Sequence, residues 1–140
     1  MSDIVRVSVS IERPLFRKLE GLVGSSHYQN RSKFIRDLIL DHLVQREWRA
    51  NEELLGTISL VYDHHARGLS QRLIRQQHRF RGRVLATTHV HLDEHLCAEM
   101  LMVRGRGKDI QALTNRLQRE KGVLHAILAA GTTGKHLRCG

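Results

Sequence analysis

The sequence predicts an α+β chain in two parts, βαα followed by βαββαβ, and three observations lead to that reading. Residues Ile4 to Ile11 alternate between apolar and polar side chains. Apolar residues then recur twice at helical spacing, and from Thr57 onward strand-type and helix-type runs follow one another to Ala130. Each pattern has a mechanical origin. Successive side chains point to opposite faces of a strand, whereas neighbours on a helix face lie three and four positions apart.

In the first strand Val5, Val7, Val9 and Ile11 fall on one face and Arg6, Ser8 and Ser10 on the other. Pro14 suits a first helical turn, and Leu15, Phe16, Leu19, Leu22 and Val23 continue a helix that Gly24-Ser25-Ser26 ends. Asn30 is an N-cap for a second helix with Arg31, Ser32 and Lys33 in its first turn and Phe34, Ile35, Leu38, Ile39 and Leu43 as its apolar stripe. A lone strand leaves its backbone ladder groups unpaired, so this part requires a second chain. Two such strands, antiparallel across a two-fold axis, make a ribbon that presents Arg6, Ser8 and Ser10 twice and fits a DNA major groove.

The polar run Arg46 to Glu53 reads as the end of helix two and a linker, which divides the chain into domains 1–50 and 51–140. Beyond it the spacing predicts a strand over Thr57–Tyr62, a helix over His65–Arg79 and a hairpin of Val84–Leu92 with Leu96–Val103. A turn at Gly105-Arg-Gly107, a helix over Asp109–Lys121 and a last strand over Val123–Ala130 complete it. The order βαββαβ is ferredoxin-like.

The net charge of +9 favours a polyanionic partner, since basic surfaces attract DNA, RNA or acidic membranes. No transmembrane or signal-peptide pattern occurs, so a cytoplasmic location and no membrane partner are expected. Cys97 and Cys139 do not form a disulfide framework; Cys139 reads as part of a loose tail and Cys97 as a thiolate.

His89 and His91 are two apart on a predicted strand and project together, and a turn at Asp93-Glu94-His95 brings Cys97 opposite them. Imidazole and thiolate suit zinc, copper or nickel rather than magnesium or calcium. His27, His42, His95, His125 and His136 read as surface histidines.

The His-x-His-x5-Cys set, the pair Gln77-His78, Asn30 to Ser32 and the Arg6-x-Ser-x-Ser10 strand together resemble the nickel-responsive repressor family NikR over nearly the whole chain. The resemblance implies an N-terminal ribbon-helix-helix domain followed by an ACT-type regulatory domain, assembled as a homotetramer on a palindromic double-stranded DNA operator. It implies one Ni(2+) per subunit, held in a square plane by His89, His91 and Cys97 of one chain and His78 of a neighbour. Such planar sets with nitrogen and sulfur donors suit nickel or copper. Gln77 and Glu99 match positions that support the ligands. Arg6, Ser8 and Ser10 match base-reading positions, while Asn30, Arg31 and Ser32 match a phosphate-binding helix start. Arg67 remains from the basic pair of a loop that touches DNA.

Departures and alternatives accompany this. Family members more often carry threonine at the two serine positions, so the operator sequence is expected to differ. Lys33 stands where many members have a glutamate that helps hold a second cation, so that second site is not expected here. His64 and His65 are set apart, because members use a nearby histidine for weaker metals. The same architecture sensing another metal or a small ligand is the alternative. A hydrolase is disfavoured because a fully protein-ligated metal has no open position for water.

Overall fold

Pro14 sits in the first turn of helix α1 (Arg13–Ser25), where its missing N–H removes no helical bond, and the helix closes with Ser26 N donating to Leu22 O at 3.1 Å. This computed structural model describes residues 3–26, 28 and 30–137; His27 and Cys139 lie outside the described residues. Helix α2 (Arg31–Arg49) starts as expected, with Lys33 N donating to Asn30 Oδ1 at 2.8 Å. The chain forms two compact units, residues up to Leu43 with those from Gly134 onward, and Val44–Thr133.

In the first unit, residues 3–12 adopt no regular secondary structure, in contrast to the strand expected over Ile4–Ile11. Ile4, Val5, Val7 and Val9 are 89%, 79%, 78% and 74% exposed. The cause is the one that makes a lone strand unstable: the chain offers these residues no ladder partner. Helix α1 buries no residue, and Leu38 and Ile39 of α2 are also exposed. Phe34 is the exception, buried with the Tyr28 ring edge-on at 5.1 Å.

Lys33 Nζ pairs with Asp37 Oδ1 at 2.8 Å, and the Tyr28 hydroxyl donates to Asp37 Oδ2 at 3.0 Å. The Lys33 bond is the main cause that holds the Asp37 carboxyl below its ordinary range, with Tyr28 adding to it. An ammonium thus occupies the acidic group that a cation would need. Lys33→Ala is expected to raise the Asp37 titration midpoint measured by NMR; an unmoved midpoint would contradict the pairing.

Helix α2 ends at Arg49, inside the run Arg46 to Glu53 expected to hold the end of helix two and a linker, and its last turn is tied down. Trp48 Nε1 donates to Gly131 O at 2.8 Å, and the Thr132 hydroxyl donates to Glu47 Oε1 at 2.8 Å. The second unit then runs β1 (Glu53–Asp63), α3 (Leu69–His78), β2 (Arg83–His91), β3 (Leu96–Arg106), α4 (Gly107–Arg119) and β4 (Val123–Ala130). The βαββαβ order is therefore present. Helix α3 is shorter than the spacing suggested, since residues 64–68 form turns that end on Gly68 in the left-handed region. No Gly105–Gly107 turn separates β3 from α4; the strand passes directly into the helix.

The sheet order is β2-β3-β1-β4, all antiparallel. One face carries the core: Leu54, Ile58, Leu60 and Tyr62 from β1 and Cys97, Leu101 and Val103 from β3 pack with Leu69, Leu73, Ile110, Leu113 and Leu117 from the helices. Arg72 of α3 binds Glu120 at 3.0 Å, just beyond α4, which fixes the two helices together. The other face leaves Val90, Met100, Met102 and Ile127 exposed. At Gly122, with φ +103°, an added Cβ would lie 2.6 Å from Ala66 Cβ, so the entry to β4 requires glycine. No described helix is long and apolar enough to cross a membrane.

Candidate metal centre

Strand β2 is an edge strand, and its alternation puts His89 and His91 on the helix-covered face of the sheet. His91 stands opposite Cys97, which stands opposite Tyr62; His89 stands opposite Glu99. The hairpin turn that sets this register is held by Asp93, whose Oδ1 accepts from His95 N at 2.7 Å and Leu96 N at 2.8 Å. Those two backbone bonds hold the Asp93 carboxyl below its ordinary range. The turn expected at Asp93-Glu94-His95 is thus an Asx-type turn with a specific role in aligning Cys97.

Cys97 Sγ lies 3.3 Å from His91 Nδ1 and 3.3 Å from His64 Nδ1, and one donor atom from each of the three residues fits within 4.8 Å of the others. With metal bonds of about 2.0–2.3 Å, nitrogen and sulfur on one ion are about 3.1 Å apart at a right angle and about 3.6 Å apart in a tetrahedron. The spacing fits either arrangement. These donors are soft or borderline, so the residues fit nickel, copper or zinc and do not fit magnesium or calcium.

His89 lies beside this group, its ring 5.2 Å from that of His91 and its Nδ1 3.0 Å from the Tyr62 hydroxyl. In the tautomer that leaves Nε2 free for a cation, Nδ1–H donates to the Tyr62 oxygen, an outer partner that fixes the ring. Burial first, then Glu99 and Cys97, pushes the Tyr62 phenol up to about 12, so it stays neutral and able to serve. Glu99, Gln77 and His89 line one cavity of about 160 Å³ with Tyr62 and α3 residues, so the two residues matched as supporting positions share a cavity with His89. Burial raises the Glu99 carboxyl, an effect that His89 opposes.

His64 enters the donor group where the sequence pointed to His89. It follows β1 immediately, at the end of the sheet where β2 and β3 are joined, a placement that only the sheet topology reveals. His78 is the last residue of α3, exposed, and belongs to no such group among the described residues.

Among the residues expected to meet DNA, Arg6, Ser8 and Ser10 lie on the exposed segment 3–12, which has no regular secondary structure. Asn30 caps α2, Ser32 is exposed in its first turn, and Arg31 pairs with Glu20 at 2.9 Å, its guanidinium 5.4 Å from the centre of the Phe16 ring. Arg67 is exposed on the turns before α3.

Comparison with known proteins agrees with both halves. Residues 55–130 match the family described as the NikR C terminal nickel binding domain, and residues 5–46 match the ribbon-helix-helix protein, copG family. A relative in Geobacter sulfurreducens, classed by name as a nickel-responsive regulator, is 44% identical over 98% of this chain and 99% of its own. One of the same name class in Pyrococcus abyssi is 42% identical over 96% of this chain and 99% of its own. The ACT domain of a GTP pyrophosphokinase of Chlorobium tepidum shares the fold of the second unit at TM-score 0.50 and 14% identity, covering 55% of this chain and 99% of that one. Fold and donor set therefore define a two-part regulator, ribbon-helix-helix followed by an ACT-like domain. The chain belongs to the NikR family of nickel-responsive regulators.

Proposed function

We propose that this protein is a cytoplasmic, nickel-dependent transcriptional repressor, a homotetramer built as a dimer of dimers with ribbon domain 1–50 and regulatory domain 51–140. The observation that supports this is the convergence of His91 and Cys97, 3.3 Å apart, with the His89 ring beside them, since these are the three positions that match the family's ligands within one chain. His89, His91 and Cys97 of one chain and His78 of a neighbour would hold one Ni(2+) per subunit, with Gln77 and Glu99 orienting them. Bound nickel supplies a cross-link that couples metal binding to assembly. The exposed apolar face around Met100, Met102 and Ile127 supports assembly with further copies.

In the ribbon domain, Val5, Val7 and Val9 would be covered when two chains pair, and Arg6, Ser8 and Ser10 would then face the base edges of a palindromic operator. The backbone at Asn30, Arg31 and Ser32 would hold a phosphate, and Arg67 another. Ligation by His78 of a neighbour biases the regulatory domains toward the arrangement that spans both half-sites, typically by about 1–3 kcal/mol of coupling. Operator affinity at fixed salt, measured with and without stoichiometric nickel, tests the reading: nickel should tighten it about 5–150-fold, and an unchanged affinity refutes it.

Burial first, then Asp93 and Glu99, raises the Cys97 thiol above its ordinary value, so it is protonated at neutral pH. Ligation by the thiolate must displace that proton. Nickel binding is therefore expected to weaken by at least about tenfold for each unit the pH is lowered, with protons released on binding in an unbuffered titration. An affinity flat from about pH 6 to 8 would contradict thiolate ligation.

A second reading keeps the architecture and changes the ion: His64 Nδ1, 3.3 Å from Cys97 Sγ, favours zinc or cobalt bound by His64, His91 and Cys97. Absorption spectra separate the two, since a zinc site is silent and the bands of a tetrahedral cobalt thiolate differ from those of a planar nickel thiolate.

A further inference from the structure

The excess positive charge is not confined to the ribbon. Residues 44–133 carry fourteen Lys and Arg against nine Asp and Glu, while residues 3–43 carry seven against five. Part of that excess surrounds a cavity of about 470 Å³ at the end of the sheet remote from the histidines, lined by Arg81, Arg83, Arg104, Arg106, Glu53 and Asp109. Arg83 is the first residue of β2 and His91 the last, so about 26 Å of strand separates the two places.

Charge in this cavity is arranged against the rule for strand pairs. Arg83 stands directly opposite Arg104, a like-charge pair that destabilises a sheet unless something neutralises it. Glu53 neutralises Arg104 at 3.1 Å, and Arg106 donates to the Asn51 carbonyl at 3.2 Å. The side chains of Arg81 and Arg83 have no ion-pair or hydrogen-bond partner among the described residues. The remaining acid, Asp109, lies in the first turn of α4.

The backbone beneath these arginines is tightly packed. A Cβ added at Gly82 would collide with the Arg104 carbonyl oxygen and lie 2.6 Å from the buried Phe80 ring; one at Gly105 would lie 3.0 Å from that ring. Gly82 therefore lets β2 approach β3 closely enough to bring Arg81 and Arg83 against Arg104 and Arg106. Guanidiniums are planar forks that bind phosphate oxygens in pairs, and the cavity volume is within the usual range for small-ligand sites.

We propose that Arg81, Arg83, Arg104 and Arg106 form a binding site for phosphate groups, independent of the metal centre. Phosphate of this chemistry comes from a free oligophosphate or from the backbone of DNA, and one variant separates the sources. Pyrophosphate and a duplex lacking any operator are titrated into the full-length protein and into Arg81→Gln/Arg83→Gln at several salt concentrations, with bound nickel and thermal unfolding measured alongside. A free oligophosphate as ligand predicts that the parent binds pyrophosphate and that the variant binds it at least about tenfold more weakly, with duplex affinity kept. Backbone phosphate as ligand predicts weaker duplex binding, with the salt dependence reduced by about two counterions, and no pyrophosphate binding. Losses of both show that the site takes phosphate groups from both sources. If neither affinity changes while the variant is folded and loads nickel as the parent does, the proposal is overturned; should the variant unfold, the same titrations are repeated with Arg83→Lys, which keeps the charge and removes the fork.

Discussion

Cys97→Ala is expected to lower nickel affinity by at least about 100-fold and to abolish the nickel-dependent part of operator binding. The thiol is the shared point of the site: it lies 3.3 Å from both His91 and His64, so no alternative pairing of the local histidines retains it. It is also fully buried among core residues of β1 and β3. Losing a group of that size costs about 1 kcal/mol of stability, which leaves the second unit folded. Circular dichroism and nickel titration on the same preparation separate the two effects. Parent-like nickel affinity in a folded variant would show that Cys97 is only a small core residue.

Val7→Asp is expected to remove operator binding and to reduce the assembly to a smaller species in sedimentation, while the thermal transition of the second unit persists. Val7 is 78% exposed in the single chain and has apolar neighbours at Val5 and Val9 on the same side of the alternation. Such a face is stable only when another copy covers it, and placing a carboxylate in a desolvated strand pair costs several kcal/mol in each partner. Unchanged assembly and unchanged DNA affinity would show that this alternation is an ordinary solvent-facing pattern.

Much of the second unit could be read from sequence because its periodicity is produced by contacts inside the same chain. Val123–Ala130 appears as a strand with the expected limits, and the two hairpin strands differ from expectation only at their ends. The run Arg46 to Glu53, expected to hold the end of helix two and a linker, does so, with α2 ending at Arg49, but what ties that last turn down was not legible. Trp48 and Glu47 reach Gly131 and Thr132, more than eighty residues away in sequence, and such anchors leave no local signal. The strand over Ile4–Ile11 is a different case: its alternation is plain, and its partner is not in the chain.

At the site, spacing revealed His89, His91 and Cys97 because two-residue alternation and a hairpin are local features. His64 depends on tertiary placement, with its backbone N–H donating to His95 O at 2.6 Å and its ring 5.0 Å from that of His91. Neither relation could be read from the order of residues. The arginine cavity was hidden for the same reason. The run Arg79 to Arg83 alone reads as a solvated helix end, and only the register with Arg104 makes it a concentration of like charge.

The claim that the nickel site is shared between chains is tested most directly by co-expressing His78→Ala and Cys97→Ala and measuring tightly bound nickel in the purified assembly. Each variant alone lacks one donor at every site. A shared site predicts that mixed assemblies regain complete sites, about one in four if chains associate at random, and with them nickel-dependent operator binding. No recovery of nickel in assemblies shown by mass spectrometry to contain both chains would contradict the shared site.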